Sequence, residues 1–334
     1  MSSKSDLAVA VLGAGSWGTA LAILVARNGF MVHLWGHDRQ ALERLGRERA
    51  NAKYLPGIRF PERLVVDDKL TALASHGRFL VAVPSHAFRS VLQVLQPHLA
   101  ADALVAWATK GLEPGTGKLL HQIAYEVFGD GATVGVVSGP TFAREVAQGL
   151  PTAFTVAAER DDAAQTIAGW LRNERVRVYT SRDVPGVQLG GAIKNVMAIA
   201  AGISDGLGFG ANARAGLITR GLAELARLGV AMGGAMETFM GLAGAGDLIL
   251  SCTDNLSRNR RVGLGLGQGR KLPDILKELG QEAEGVATAK ELYALAKRMN
   301  VEMPITEQVY RVLYENRLPQ DAVEALLSRE PRAE

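Results

Sequence analysis

Short apolar runs alternate with helical patterns through the first half of the chain. Seven runs have the length of buried strands: Leu7–Leu12, Met31–Trp35, Phe79–Val83, Ala103–Ala108, Thr133–Val137, Ala153–Ala157 and Val176–Tyr179. Helical spacing separates most of them, in segments that include Ser16–Asn28, Arg39–Ala50, His86–Leu95 and Gly117–Phe128. Strands that alternate with helices predict an α/β fold with a Rossmann-type, doubly wound parallel sheet.

The second half of the chain has a different pattern. After Gly186 we find no convincing strand, and the helical segments are Gly210–Val230, Ala283–Met299, Pro304–Tyr314 and Pro319–Leu327. This change predicts a Rossmann-type domain over residues 1–183 and an all-α domain over residues 184–334. A length of 334 residues suits two domains.

Composition narrows the possible functions. The formal net charge is only +3, so charge alone gives no reason to expect a nucleic-acid partner. The single cysteine, Cys252, allows no internal disulfide, and the six histidines lack metal-ligand spacing, so we expect no metal. One cysteine also suits a reducing compartment, so we expect a cytoplasmic protein. The apolar region Val187–Ile203 is interrupted by Lys194 and Asn195, so we expect no membrane span.

A glycine-rich loop follows the first predicted strand. Gly13, Gly15 and Gly18 have the G-x-G-x-x-G spacing of dinucleotide-binding loops. There the first glycine makes the turn, the second admits the pyrophosphate, and the third lets the helix pack on the strand. The strand before the loop and the helix after it favour a site for NAD or NADP over a purely structural turn.

The end of the second predicted strand leaves the choice between NAD and NADP open. Asp38 lies about 20 residues beyond the glycines, where an acidic residue can bind the ribose 2′-hydroxyl of NAD. His37 and Arg39 could instead neutralise the 2′-phosphate of NADP. A second glycine-rich segment, Gly263–Gly269, has no strand before it, and we interpret it as a helix end and turn.

Polar residues at predicted strand ends are candidates for binding or catalysis, because one edge of such a sheet carries function. Three strand ends qualify, at Ser85–His86, at Lys110 and at Ser138–Ala143. Lys110 follows a buried strand, which favours a functional role over an exposed loop lysine. The helix that begins near Ala143 could hold an anion at its N-terminus.

The predicted helical domain contains charged residues among small apolar ones. Burying an unpaired lysine is unfavourable, so Lys194 should face a partner or a cleft, where it could transfer a proton. The alternative is a lysine that reaches the surface. Asp247 is similarly isolated among small residues.

A serine and a run of arginines follow Asp247 in the same domain. Ser257 is a good N-cap residue, and Arg258 follows it, which suits a phosphate monoester. A solvated basic helix face is the alternative, and both interpretations stay open for Arg260 and Arg261.

Several long segments resemble one known family. They are GAGSWGTALA, WATKGLE, SGPTFAREVA, GVQLGGAIKNVMAIAAGISDGLGFGANARAGLITRG, AGAGDLILSCTDNLSRNRRVG and VEMPIT. From Ala8 to about Leu327, the chain resembles the bacterial NAD(P)-dependent glycerol-3-phosphate dehydrogenases. The resemblance implies reversible reduction of dihydroxyacetone phosphate to sn-glycerol 3-phosphate with NADH or NADPH, which supplies glycerophospholipid biosynthesis. We also expect a homodimer.

The resemblance implies roles for individual residues. Lys194 would be the proton donor and acceptor, and Lys110 would serve cofactor and substrate. Further cofactor contacts are implied for Ser16, Trp17, His37, Tyr54, Ala143, Arg258, Glu282 and Glu284. Substrate contacts are implied for Gly139, Thr141, Asp247, Ser257, Arg258 and Asn259. Trp17 and Glu282 depart from the family pattern, in which another aromatic residue and an apolar residue are common.

Two other functions fit the same plan. A β-hydroxyacid dehydrogenase also has a Rossmann-type domain, a helical domain and a helix lysine, but it binds a carboxylate where we expect a phosphate. A non-catalytic NAD(P)-binding sensor would lack the catalytic lysine, whereas Lys110 and Lys194 are both present here.

Overall fold

The structure is a computed structural model and describes residues 7–330, without the side chains of residues 74–76. The chain forms two compact units. The first, called the sheet unit, contains the residues up to Lys110 together with Leu119–Val187. The second, called the helical unit, contains Gly111–Lys118 and the residues from Gln188 onward. The domain boundary after residue 183 stays a prediction.

One eight-stranded sheet forms the centre of the sheet unit. Its strands are β1 Ala8–Leu12, β2 Met31–Trp35, β3 Leu64–Asp67, β4 Arg78–Val81, β5 Leu104–Trp107, β6 Thr133–Ser138, β7 Thr152–Ala157 and β8 Val176–Ser181. Their order across the sheet is β3-β2-β1-β4-β5-β6-β7-β8. The pairs from β3 to β6 are parallel, which confirms the predicted α/β class.

The predicted doubly wound parallel sheet is confirmed as a mostly parallel one, and one strand pair departs from that pattern. β7 pairs antiparallel with β6, and β8 runs parallel to β7. The connection from β6 to β7 contains only the six-residue helix α5, Ala143–Gln148. A helix of that length spans about 9 Å, against about 20 Å for a six-residue strand. It cannot return the chain along the sheet, so β7 begins at the edge where β6 ends.

Helices pack on the sheet and bury its apolar strands. They are α1 Ser16–Arg27, α2 Arg39–Glu48, α3 Ser85–Leu95, α4 Leu120–Phe128, α5 as above, and α6 Asp161–Leu171, with short 3₁₀ turns at Leu70–His76 and Gln96–His98. α1 is buried from Gly18 to Ala26, because small and apolar residues cover most of its surface. Ala14 of the glycine loop packs against the hydrophobic core that the sheet and these helices form.

The regular elements described in the helical unit are all helical, in agreement with the predicted class. They are α7 Val184–Gly206, which starts at the end of the sheet unit, α8 Ala211–Ala231, α9 Met236–Met240, α10 Asp247–Thr253, α11 Arg258–Gly267, α12 Leu272–Leu279, α13 Glu284–Arg298, α14 Pro304–Tyr314 and α15 Pro319–Leu327. A π-helical turn, Leu242–Gly246, joins α9 to α10.

α7 has the length and mean hydropathy of a membrane span, but its most apolar 18-residue window is completely buried inside the protein. Core helices of globular proteins often have this property. Part of the burial comes from α11, because glycines bring the two backbones together. A Cβ on Gly202 would lie 2.1 Å from the carbonyl oxygen of Arg260, and one on Gly263 would lie 1.9 Å from that of Ile199. α11 ends at Gly267 and a turn follows, which confirms the helix end and turn predicted for residues 263–269. Gly263, the first glycine of that segment, serves packing.

A buried glutamate caps α14. Glu224 of α8 accepts hydrogen bonds from the backbone N–H groups of Ile305 and Thr306 and from the Thr306 hydroxyl. Despite these donors, burial raises the pKa of the Glu224 carboxyl to about 7.

The segment Gly111–Lys118, called the strap, belongs to the helical unit although it follows β5 in the sequence. Gly115 N donates to Oε1 of buried Glu291 at 2.9 Å, and Arg298 donates to the carbonyl oxygen of Thr116 at 3.4 Å. Gly115 has a φ of +84°, which favours glycine at this turn. The strap is thus fixed on α13.

Candidate active site

The glycine loop joins β1 to α1 where the strand order reverses, because β1 pairs with both β2 and β4. Gly13 has a φ of +125°, and a Cβ there would lie 2.7 Å from the carbonyl carbon of Ala82. A Cβ on Gly18 would lie 1.8 Å from the carbonyl oxygen of Gly13. By contrast, no atom in the described part of the chain lies within 4 Å of a Cβ placed on Gly15. The first and third glycines serve packing, and the second faces open space.

The N-terminus of α1 fits the pyrophosphate of a dinucleotide. Its N-cap residue is Gly15, and among the described residues no side chain caps it. The first N–H groups of a helix have no partner within the helix, and they carry partial positive charge. Ser16 and Trp17 contribute two of these N–H groups, so the loop and the helix form a site for phosphate.

A buried asparagine, Asn51, holds the glycine loop by hydrogen bonds. Nδ2 of Asn51 donates to the carbonyl oxygen of Ala14 at 3.0 Å and to Oγ1 of Thr19 at 2.8 Å. It therefore connects the loop with the first turns of α1. The sequence pattern gives no signal for Asn51, because its partners lie more than thirty positions earlier.

The indole of Trp17 is used in packing across the sheet edge. Its Nε1 donates to the carbonyl oxygen of Ala108 at 3.1 Å, and its ring stacks on Phe154 with the centroids 6.1 Å apart. These contacts place Trp17 between the ends of β5 and β7. A contact from Trp17 to the cofactor stays a prediction.

The residues after β2 make local contacts at the start of α2. Oδ1 of Asp38 accepts a hydrogen bond from Ala41 N at 3.0 Å, so Asp38 is the N-cap of α2. Arg39 is exposed and contacts Glu43 at 3.3 Å. His37 is exposed, and Tyr54 is half-buried. This strand end is thus organised as the beginning of a helix, with both an acidic and a basic group at its surface.

Lys110 connects the ends of β5 and β6. Its Nζ donates to the carbonyl oxygen of Gly139 at 3.1 Å, and Oγ1 of Thr141 donates to the same oxygen at 3.2 Å. Lys110 is partly buried, unlike the exposed loop lysine considered as the alternative. Gly139 has a φ of +128°, which favours glycine, and Ala143 begins α5 nearby in the sequence. The structure thus brings together three of the predicted substrate-site residues.

The helical unit contains a buried polar group of side chains, called the lysine cluster: Lys194, Asp247 and Ser251. Nζ of Lys194 lies 2.9 Å from Oδ1 of Asp247 and donates to Oγ of Ser251 at 2.8 Å. The Lys194 side chain is 10% exposed and that of Asp247 is completely buried, so Lys194 faces a partner and does not reach the surface. An ammonium has three N–H donors, one more than these two contacts with described residues use, so Lys194 can also donate to a ligand.

Each member of the lysine cluster is positioned by a helix. Lys194 lies in the middle of α7, Asp247 is the first residue of α10, and Ser251 lies one turn further along α10. Residues four apart share one helix face, so Asp247 and Ser251 point to the same side. Oγ of Ser251 also lies 3.4 Å from Oδ1 of Asp247. Sequence reasoning missed Ser251, and its spacing from Asp247 is the signal that could have found it.

The N-terminus of α11 has the predicted cap. Oγ of Ser257 accepts a hydrogen bond from Arg260 N at 3.2 Å, and Arg258 is the first residue of the helix. Arg258 is partly buried and its guanidinium lies 3.5 Å from Oε1 of Gln281. The two arginines left open by the sequence differ, since Arg261 is exposed and Arg260 is buried.

Asn259 connects three helices beside the lysine cluster. Its Nδ2 donates to Oδ1 of Asn195 at 2.9 Å, and its Oδ1 accepts from Gly285 N at 2.9 Å. The Asn259 side chain therefore fixes the start of α13. At that start Glu284 is partly buried, and Glu282, which precedes the helix, is exposed. The implied contacts of Asn259, Glu282 and Glu284 with ligands stay predictions.

Two family models match successive parts of the chain. The N-terminal model of the NAD-dependent glycerol-3-phosphate dehydrogenases matches residues 8–164, and their C-terminal model matches residues 183–324. The chain belongs to the NAD-dependent glycerol-3-phosphate dehydrogenase family. Membership makes it an oxidoreductase that uses NAD(P), and the open space at Gly15 and the N-terminus of α1 fit that cofactor.

Relatives of known name agree with this family. The chain is 56% identical to the "Glycerol-3-phosphate dehydrogenase (NAD(P)+)" of Pseudoalteromonas translucida, over 99% of this chain and all of that protein. It is 55% identical to the protein of the same name from Methylococcus capsulatus, over 98% of each. A crystal structure of glycerol-3-phosphate dehydrogenase from Coxiella burnetii matches with a TM-score of 0.94 and 45% identity, over 97% of this chain and 99% of that one. The resemblance found in the sequence is confirmed.

Proposed function

We propose that the chain catalyses the reversible reduction of dihydroxyacetone phosphate to sn-glycerol 3-phosphate with NADH or NADPH. The observation that carries this proposal is the lysine cluster, in which Asp247 and Ser251 hold a buried ammonium on the unit that also carries the capped N-terminus of α11. The names of the relatives support the substrate. The product would supply glycerophospholipid biosynthesis, the usual context of this enzyme.

Lys194 is the proton donor in this proposal. A bound NADH or NADPH would supply a hydride to the C2 carbonyl carbon. The carbonyl oxygen then gains negative charge, and Lys194 Nζ gives it a proton, so that the alkoxide becomes the C2 hydroxyl. In the reverse direction the lysine accepts this proton. Asp247 and Ser251 hold Nζ in place during both directions.

The substrate is oriented by its two ends. Ser257, Arg258 and the N-terminus of α11 bind the phosphate, because a helix N-terminus and a guanidinium both attract a dianion. Lys110 stabilises the charge that develops on the carbonyl oxygen, beside Gly139 and Thr141. A substrate anchored in this way has its reacting carbonyl presented to the cofactor in few orientations.

The proposed cofactor site extends from the glycine loop. Gly13, Gly15 and Gly18 shape it, and Asn51 supports it. Further contacts are proposed for Ser16, Trp17, His37, Tyr54, Lys110, Ala143, Arg258, Glu282 and Glu284, and Asn259 joins the substrate contacts.

A cytoplasmic homodimer is the proposed form of the protein. The single cysteine suits a reducing compartment. Met236, Met240 and Ile249 of the helical unit are each about half exposed, and a second subunit that covered them would remove apolar surface from water. Light scattering coupled to gel filtration measures the mass, and a monomer at micromolar concentration would contradict the dimer.

Replacement of Lys194 tests the proposed chemistry. Lys194→Arg keeps a positive charge but has no readily transferable proton, so kcat with dihydroxyacetone phosphate should fall by about 10²- to 10⁴-fold. The Kd for NADH, measured by fluorescence, should stay unchanged. Lys290→Arg is the matched control, because Lys290 is exposed on α13. Normal turnover in Lys194→Arg would exclude the role.

A substrate panel tests the reaction against its nearest alternative. Wild-type protein should oxidise NADH and NADPH with dihydroxyacetone phosphate. With NAD+ or NADP+ it should oxidise glycerol 3-phosphate and should be inactive toward 3-hydroxyisobutyrate. The opposite preference would indicate a β-hydroxyacid dehydrogenase. Binding of NADH with no turnover on any phosphorylated ketone would indicate a non-catalytic sensor.

A further inference from the structure

Arg260 has an unusual environment for an arginine in a basic run. Its neighbour Arg261 is exposed, whereas Arg260 is only 7% exposed. Its guanidinium forms an ion pair with Asp205 near the C-terminus of α7, and that carboxylate also accepts two bonds from Arg214 of α8, at 2.9 and 3.0 Å. Burying this charge is unfavourable unless it is paired, and the carboxylate of Asp205 provides the pairing.

The rest of the guanidinium holds the connection between α10 and α11. Nε of Arg260 donates to the carbonyl oxygen of Cys252 at 3.0 Å, near the end of α10. A second nitrogen donates to the side chain of Asn255 in the connection itself. The backbone N–H of Arg260 donates to Oγ of the N-cap Ser257 at 3.2 Å. One residue therefore fixes both ends of the connection.

Arg258 begins α11 directly after that connection. Its position relative to α7 is set by the turn that Arg260 holds, and α7 carries both Asp205 and Lys194. We propose that Arg260, locked by Asp205, is a positioning residue that sets the phosphate-binding end of α11 relative to the lysine cluster. This inference rests on the proposed function, because it takes the Ser257–Arg258 turn as the phosphate site.

The test compares a phosphorylated and an unphosphorylated substrate. In Arg260→Lys the charge remains, but one ammonium nitrogen cannot replace the three separate guanidinium nitrogens that contact Cys252, Asn255 and Asp205. The kcat/KM for dihydroxyacetone phosphate should fall by at least about tenfold, mainly through KM, which corresponds to about 1.4 kcal/mol. The kcat/KM for dihydroxyacetone and the Kd for NADH should change by less than about twofold. If Arg260 served folding alone, the substitution would lower kcat/KM for the two substrates by the same factor.

Arg214→Gln gives a second variant that preserves the pair of Arg260 with Asp205. The Arg214 side chain is 30% exposed, so its replacement should leave the protein folded. The Asp205 carboxylate would lose the two hydrogen bonds from Arg214 that help to hold it in place. We expect a smaller fall in kcat/KM, about two- to threefold for dihydroxyacetone phosphate and none for dihydroxyacetone. Arg270→Lys is the matched control, because Arg270 lies just after α11 and pairs with Glu278 at the surface.

Three outcomes decide the inference. A folded Arg260→Lys with wild-type kcat/KM for dihydroxyacetone phosphate would overturn it, and so would an equal loss for both substrates. If Arg260→Lys does not fold, Arg214→Gln decides. An unchanged ratio of its kcat/KM values for dihydroxyacetone phosphate and dihydroxyacetone would overturn the inference. Wild-type protein without turnover of dihydroxyacetone phosphate would instead exclude the proposed function, so the two failures are distinguishable.

Discussion

Single alanine substitutions in the glycine loop should separate folding stability from cofactor binding. In Gly18→Ala the new methyl carbon would lie 1.8 Å from the carbonyl oxygen of Gly13 and 2.9 Å from its carbon. Nonbonded carbon atoms stay about 3.5 Å or more apart, so α1 or the loop must move. Overpacking of this kind destabilises a protein by about 1–3 kcal/mol, which lowers Tm by roughly 2–12 °C.

Gly15→Ala should have the opposite effect. Gly15 has a φ of −75° and a ψ of −174°, a conformation open to any residue, so the stability should change by less than about 1 kcal/mol. The new methyl group would occupy the open space where the pyrophosphate approaches α1. Loss of a hydrogen bond to a charged group, at about 1.5–3 kcal/mol, raises the Kd for NADH by about 10- to 150-fold.

Two measurements check this pair of expectations. Thermal unfolding followed by circular dichroism gives Tm, and titration of NADH fluorescence gives Kd. Gly131→Ala is the control, because no described atom lies within 4 Å of a Cβ there and the residue is exposed. Wild-type NADH affinity in Gly15→Ala would refute the assignment of this space to the pyrophosphate. A wild-type Tm in Gly18→Ala would refute the packing argument.

Three further predictions concern buried groups. The Glu224 carboxyl has a pKa near 7 in the folded state against 4.5 ordinarily, so the folded state binds more protons between these values. The free energy of unfolding should fall by about 3 kcal/mol as pH rises through that window, and urea titrations should show no such fall in Glu224→Gln. Ser251→Ala should lower kcat about tenfold at unchanged NADH affinity, whereas Ser251→Thr, which keeps the hydroxyl, should retain most activity in the same assay. Burial raises the pKa of the Cys252 thiol to about 12, so Ellman's reagent should detect one thiol per chain only after denaturation.

The fold could be predicted from the sequence where a strand is buried and bounded by glycines. β2 is predicted to the residue, because Gly29 and Gly36 flank a run that is apolar except for His33. β3 is not predicted, because only Leu64 of its four residues is fully buried and Val65 is 38% exposed. The direction of β7 depends on how far α5 carries the chain, and apolar runs contain no information about that distance.

The sequence predicts those site residues whose charge or polarity differs from that of their neighbours in the chain. Lys194 is a charge within an apolar helix, and burial beside Asp247 confirms that it faces a partner. Ser251 has no such contrast, because a helix often contains a serine, and its partner lies 57 positions away. Arg260 and Arg261 look alike in the sequence, and the fold distinguishes them by burying one. Pairings between distant segments are therefore what the sequence pattern leaves out.

The strap has a consequence for any attempt to divide the protein into modules. The chain passes between the two units after Lys110, after Lys118 and after Val187. A gene fragment that begins at residue 188 would therefore encode α13 without the segment that satisfies the Glu291 carboxylate. That carboxylate would lose the backbone donor that Gly115 provides in the whole chain. During synthesis, too, the strap emerges first and finds its partner only when α13 follows. An autonomous helical module would need the strap grafted ahead of α7.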